Sequence, residues 1–309
     1  MASGNGTRPP IPDFPVVWVD DAELPQAQRP LLKGLIDPGA FVLIYGPSGS
    51  GKSFFTADIA LCIATGTLWR GRRTQPGTVV YVAAEAGTSI LKRFIAARDH
   101  TLGEQHEQVP LAILTKGPNL LGGTDAVKLY DQLAAMPNYT GLPLSMVIFD
   151  TLSRSIPGGD ENKAEDMTQI VRVADELREQ FKCATVFVHH SGKDIGKGAR
   201  GHSSLFAAAD VVICIDNHAG TVEKVRDGVS GERFPFRLNP VVLGEDLDGD
   251  PISTCLIEVA DQGKPSKPPA PTGKNQKIVY AQIKDLMGEE GVEMPETSAI
   301  PKGAKTVSF

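Results

Sequence analysis

Residues 46–53 read Gly-Pro-Ser-Gly-Ser-Gly-Lys-Ser, directly after the apolar run Phe41-Val42-Leu43-Ile44-Tyr45. A short buried strand must end there, turn through a glycine-rich loop and enter a helix, which commits the chain to an α/β fold. The pattern Gly-x-x-x-x-Gly-Lys-Ser is a loop that cradles phosphate. Gly46, Gly49 and Gly51 permit positive φ, so successive N–H groups can turn inward around an anion. Lys52 would bridge the β- and γ-phosphates and the Ser53 hydroxyl would ligate Mg²⁺. The helix opening near Lys52 directs its positive dipole end at the same charge. The nucleotide-binding set is therefore Gly46, Pro47, Ser48, Gly49, Ser50, Gly51, Lys52, Ser53 and Phe54. A chance glycine-rich turn is the alternative, and the flanking strand and apolar helix 54–63 argue against it.

Elsewhere the sequence alternates between the two periodicities. Continuously apolar strands are expected at 41–45, 78–83, 110–114, 144–149, 184–189 and 210–215. Helices are expected at 52–65, 88–98, 124–135, 162–180 and 203–208. Such alternation predicts a mainly parallel sheet flanked by helices. Later strands at 222–226, 234–238 and 254–259 lie closer together and suit an antiparallel C-terminal extension. Residues 1–13, rich in Gly and Pro, are expected to be disordered, and 14–262 to form the main domain. Pro265, Pro268, Pro269 and Pro271 mark 263–274 as a Pro/Lys-rich linker. Residues 275–309 hold one amphipathic helix and a tail too short for a second core.

The net charge of −6 gives no global basic field, so any nucleic-acid contact must come from a local surface. Cys62, Cys183, Cys214 and Cys255 stand singly in apolar stretches, which suits reduced core thiols in a cytoplasmic protein. The apolar stretch 205–215 is broken by Asp210 and too short to span a membrane, and residues 1–13 lack a signal-peptide core.

Three further strand ends carry chemistry. Met146-Val147-Ile148-Phe149-Asp150 ends in a carboxylate, which in a phosphate-loop fold holds Mg²⁺ through a bound water beside Ser53. A helix-capping Asp is the bland alternative. Thr151 follows it, so the carboxylate that activates water must come from elsewhere. Val79–Ala84 ends in Glu85, which would face the same crevice at the carboxyl ends of the strands; the alternative is a helix-capping Glu. Strand 184–188 runs into His189-His190-Ser191-Gly192-Lys193. Adjacent strand residues point to opposite faces, and His190 is assigned to the crevice as a donor to the γ-phosphate. A structural histidine is the alternative there.

Together these residues resemble the RecA-like ATPase superfamily, and more narrowly the hexameric replicative helicases of plasmid RepA type and their phage relatives. The resemblance spans about residues 30–262. It rests on residues 46–53, on Tyr81 to Glu85 with Arg93 downstream, on Met146 to Asp150 and on His189 to Lys193. It extends to Gly198-Ala199-Arg200-Gly201-His202-Ser203-Ser204 with Ala208-Ala209-Asp210, and to Lys224-Val225-Arg226-Asp227-Gly228. The resemblance implies a catalytic carboxylate at Glu85 and a γ-phosphate sensor at His190. It also implies an arginine finger at Arg226, assisted by Lys224, that reaches into a neighbouring subunit's nucleotide. The AAA+ class, whose metal strand ends in Asp-Glu, fits less closely because Thr151 replaces the Glu.

In such relatives two loops face the centre of the ring and hold DNA. The first, 153–166, is acidic here, with only Arg154 and Lys163 opposing Asp160, Glu161, Glu165 and Asp166. The second, 191–202, carries Lys193, Lys197 and Arg200 among four glycines and suits a basic loop tracking a single strand; a solvated surface loop is the alternative. The functional expectation is a homo-oligomeric, hexameric ring motor that hydrolyses ATP with Mg²⁺. It would translocate on single-stranded DNA in plasmid, phage or prophage replication. A recombination-type ATPase and a nucleotide-switched module that recruits partners without unwinding are the alternatives.

Overall fold

In the computed structural model the described residues are 19, 29–103, 108–191, 204–226 and 228–260, with two short strands beyond them. The chain divides into two compact units, Met1–Asp261 and Gln262–Phe309. Strand β1 (Phe41–Gly46) is buried along its whole length and lies inside the sheet, between two parallel partners. The others in the first unit are β2 (Thr78–Ala83), β3 (Leu111–Leu114), β4 (Leu144–Asp150), β5 (Ala184–His190), β6 (Val211–Asp216), β7 (Ala219–Val225), β8 (Arg233–Glu245) and β9 (Pro251–Val259). Among the described residues these nine form one sheet in the order β3-β2-β4-β5-β1-β6-β7-β8-β9. Pairings from β3 to β6 are parallel, and those from β6 to β9 are antiparallel. The fold is thus the α/β RecA-like phosphate-loop core with an antiparallel C-terminal extension.

The helices are α1 (Lys52–Thr65), α2 (Ile90–Leu102), α3 (Thr124–Thr140), α4 (Leu152–Ser155), α5 (Ala164–Phe181) and α6 (Ser204–Ala208). Side chains alternate along each strand, so one strand feeds two cores. Val42 and Ile44 of β1 join Phe55, Ile59 and Ile63 of α1 and Phe94 of α2 on one face. Phe41, Leu43 and Tyr45 join Leu129 and Leu133 of α3 and Met167, Ile170 and Leu177 of α5 on the other. Both faces are covered, which is why the parallel strands read as continuous apolar runs.

Boundaries moved where local chemistry outranked propensity. Helix α3 continues past the expected 135 to Thr140 with Pro137 inside it. The glycine that ends it, Gly141 (φ 72°), donates its N–H back to the Pro137 carbonyl. Strand β8 runs well beyond 238 despite Pro240 and Gly244. Its residues 233–235 pair with β7, whereas 236–245 pair with β9 alone, so the missing N–H of Pro240 faces an open edge. The four cysteines are unpaired, with Cys62, Cys183 and Cys214 buried.

In the second unit, β10 (Val292–Glu293) and β11 (Lys305–Thr306) form an antiparallel pair. The expected N-terminal segment 1–13, the linker 263–274 and the helix after it lie outside the described residues, apart from these two strands. Among the described residues no helix is long and apolar enough to cross a membrane.

Candidate active site

The phosphate loop leaves β1 and enters α1 as its residues dictate. A Cβ on Gly46 would sit 2.0 Å from the Ile215 carbonyl oxygen, so β6 can approach only because the position is glycine. Gly51 caps α1 at φ 93°, and a Cβ there would meet the Phe236 ring at 2.8 Å. Lys52 is buried and its Nζ donates to the carbonyls of Gly46 (3.0 Å) and Pro47 (2.7 Å). Burial lowers its pKa, and the charges of Asp150 and Glu85 partly offset that.

Strand order then gathers the remaining groups. β5 lies between β1 and β4, and β2 lies beside β4. The ends of these four strands therefore line one crevice of about 320 Å³ that includes Lys52, Ser53, Glu85, Asp150 and His190. Asp150 closes β4, paired in register with Ala83 of β2. Its Oδ2 accepts a hydrogen bond from the Tyr81 hydroxyl at 2.5 Å, and Ser53 also bonds the carboxylate. Burial raises the Asp150 pKa, against the hydrogen bonds from Tyr81 and Ser53 that favour the ionised form. Its Oδ1 is buried and has no hydrogen-bond partner among the described residues.

Glu85 does not cap a helix. The Thr151 hydroxyl donates to its Oε2 at 3.0 Å, and His190 Nε2 lies 3.4 Å from the same oxygen. The residue that stands where a second acid is absent thus orients the acid supplied by β2. His190 lines the crevice, whereas His189 is fully buried on the opposite face with Nδ1 3.6 Å from Glu161. The Phe54 ring carries the Arg93 guanidinium at 4.3 Å, and Arg93 lines the crevice too.

Lys224 and Arg226 are not part of this crevice. β7 runs antiparallel to β6, with Val225 opposite Val211 at the end where β1 begins. That end lies about 17 Å along the strand from the phosphate loop, at roughly 3.3 Å per residue. Lys224 Nζ donates to the Phe206 and Ala207 carbonyls at 3.1 and 2.8 Å, holding the end of α6. The acidic segment 153–166 folds onto its own backbone: the N–H of Asp160 donates to Asp166, and Leu120 donates to the Ser155 carbonyl. Lys193, Lys197 and Arg200 lie outside the described residues.

Sequence reasoning left Tyr81, Thr151 and Asp210 without a role and noted Arg93 only as part of a motif. A tyrosine in an otherwise aliphatic strand was the available signal for Tyr81. Nothing in sequence announces Thr151, because its partner is 66 residues away.

Residues 7–196, well over half of the chain, match the family model described as AAA domain. The chain belongs to that family. Within this AAA-domain chain the water-side carboxylate is supplied by β2, since Thr151 follows Asp150. Among solved structures, one described as the ATPase domain of a larger protein is similar with a TM-score of 0.47 at 14% identity, covering 64% of this chain and 82% of that one. A KaiC-like protein from the hyperthermophilic archaeon Pyrococcus horikoshii OT3 is similar with a TM-score of 0.44 at 16% identity, covering 67% and 89%.

Proposed function

We propose that this RecA-like ATPase is a homo-oligomeric, hexameric ring motor that hydrolyses ATP to translocate on single-stranded DNA, as a replicative helicase does. The observation that carries the reading is the division of charged groups between two ends of the sheet. Lys52, Glu85, Asp150 and His190 share one crevice, while Arg226 stands at the far end, out of reach of its own crevice. A guanidinium so placed serves a nucleotide only when a second copy presents one, which ties hydrolysis to assembly.

The residues present fit a bound Mg²⁺. The buried, unpartnered Oδ1 of Asp150 and the Ser53 hydroxyl beside it form the acceptor pair such an ion uses together with phosphate oxygens. Among the described residues there is no group of three His, Cys, Asp or Glu, and a site completed by phosphates and water requires none. The ion would neutralise charge on the phosphates. Lys52 would turn from the loop carbonyls to the same phosphates. Glu85, held by Thr151, would accept a proton from the attacking water as its oxygen bonds to the γ-phosphorus. The bond from that phosphorus to the bridging oxygen breaks and its electron pair stays on ADP. His190 would donate to the γ-phosphate and, close also to Glu85, register its departure.

Single-stranded DNA is assigned to the segment after His190, through Lys193, Lys197 and Arg200. The acidic character of 153–166 favours the second reading, a nucleotide-switched module that recruits a partner. Strand displacement on forked DNA with ATP separates the two. Mixing Arg226→Ala with Lys52→Ala subunits should restore part of the lost ATPase activity; a specific activity independent of protein concentration, with no complementation, would refute the shared site.

A further inference from the structure

A long, flexible arginine needs an anchor if it is to meet a phosphate at a fixed angle. Arg226 is exposed over 60% of its side chain, yet its Nε lies 2.9 Å from Oδ1 of Asp210, which is 11% exposed. Its backbone N–H also donates to the Asp210 carbonyl at 2.9 Å. The other carboxylate oxygen of Asp210 accepts the N–H of Phe41, the first residue of β1, at 2.9 Å. It also accepts Nη2 of Arg178 at 2.6 Å, and Arg178 Nε donates in turn to the Gly39 carbonyl. Asp210 is thus fixed by the backbone of β1 and by α5.

We propose that Asp210 is the positioning residue of the arginine finger and that the finger's ligand is the γ-phosphate of a nucleotide held by a second copy of this chain. Held at Nε, Arg226 presents its two η nitrogens outward, and among the described residues neither has a partner. A guanidinium fork matches phosphate oxygens two at a time only when its plane is fixed, which contact at Nε supplies. Asp210 does not cancel the finger's charge, because one carboxylate is shared between two guanidiniums and the cluster stays cationic. Nearby, Lys224 is tied to α6, so the two basic residues of the motif hold different anchors. The proposal rests on the reading of Arg226 as a finger acting in trans.

A residue that merely joined β1 to β6 would affect folding and nucleotide affinity, and its effect would be the same whatever stood at 226. The test is a double-mutant cycle on the full chain, with kcat and KM for Mg-ATP measured for Asp210→Asn, Arg226→Ala and both together. Asp210→Asn is expected to lower kcat about tenfold or more while KM stays within about twofold. In the Arg226→Ala background the same change should cost less than about twofold further. An equal loss in both backgrounds, or an unchanged kcat in Asp210→Asn, would overturn the proposal. If Arg226→Ala alone hydrolyses ATP like the wild type, the finger reading itself fails, an outcome distinct from failure of the cycle. Should Asp210→Asn not fold, Asp210→Glu keeps the charge and the acceptors and runs the same cycle; additivity there overturns the proposal equally.

Discussion

Removing the hydroxyl of Tyr81 tests how the metal carboxylate is held. Tyr81 is fully buried, Asp150 is 3% exposed, and the 2.5 Å hydrogen bond between them lies inside the sheet edge. Tyr81→Phe leaves the ring packed against Phe94 and takes away only the donor. The carboxylate then keeps Ser53, while Oδ1 already lacks a partner among the described residues. A hydrogen bond to an ionised buried group is worth about 1.5–3 kcal/mol, against about 1 kcal/mol for a neutral pair. The sign follows from the raised pKa of Asp150. The folded state binds its proton more tightly than the unfolded chain, so this carboxyl contributes most stability when protonated and loses it as pH rises through its folded value. Tyr81 opposes that loss by favouring the ionised form. The cost of Tyr81→Phe should therefore grow with pH, from about 1 kcal/mol near pH 5 to about 2 kcal/mol near pH 8. Urea unfolding without nucleotide at both values measures it, and the acid limb of the ATPase pH profile should shift upward in the variant. A cost below about 0.5 kcal/mol at both values, with an unmoved acid limb, would refute the reasoning.

Glu85→Gln should bind Mg-ATP as the wild type does and lose hydrolysis by orders of magnitude, because the base is removed and Asp150 remains; near-normal turnover would place the base elsewhere. Gly46→Ala places a Cβ 2.0 Å from a backbone oxygen of β6, which cannot retreat without breaking its pairing. It should cost at least about 2 kcal/mol in thermal or urea unfolding and weaken nucleotide binding, and a neutral variant would refute the close approach. Asp58 accepts from Trp69 Nε1 at 2.9 Å, and burial pushes its pKa up to about 6. Its stabilising contribution is full below about pH 4 and fades as pH rises through about 6, so the stability of the wild type relative to Asp58→Asn should fall by about 2 kcal/mol across that window. A flat difference in urea unfolding would remove the shift.

Much of the site was legible because its parts are local. Residues 46–53 encode their own turn, and Met146 to Asp150 and Val79 to Glu85 announce apolar strands that end in acids. Period-two alternation separates His189 from His190 with no knowledge of the fold. What stayed hidden depends on partners far along the chain. Thr151 reads as the absence of an acid until β2 lies against β4 and Glu85 arrives beside it. Lys224 and Arg226 read as one motif, yet they are anchored to α6 and to Asp210 respectively.

The sequence by itself determined the phosphate loop, the alternation of strand and helix, and the acids available at strand ends, because each depends on neighbours a few residues apart. Only the tertiary structure decided which strand ends meet and which stand opposed. Insertion of β5 between β1 and β4 brings Lys52, Glu85, Asp150 and His190 to one crevice. The reversal at β7 carries Arg226 to the other end of the sheet. Strand order arises from non-local pairing and from covering both faces of the sheet, and no window of the sequence contains either.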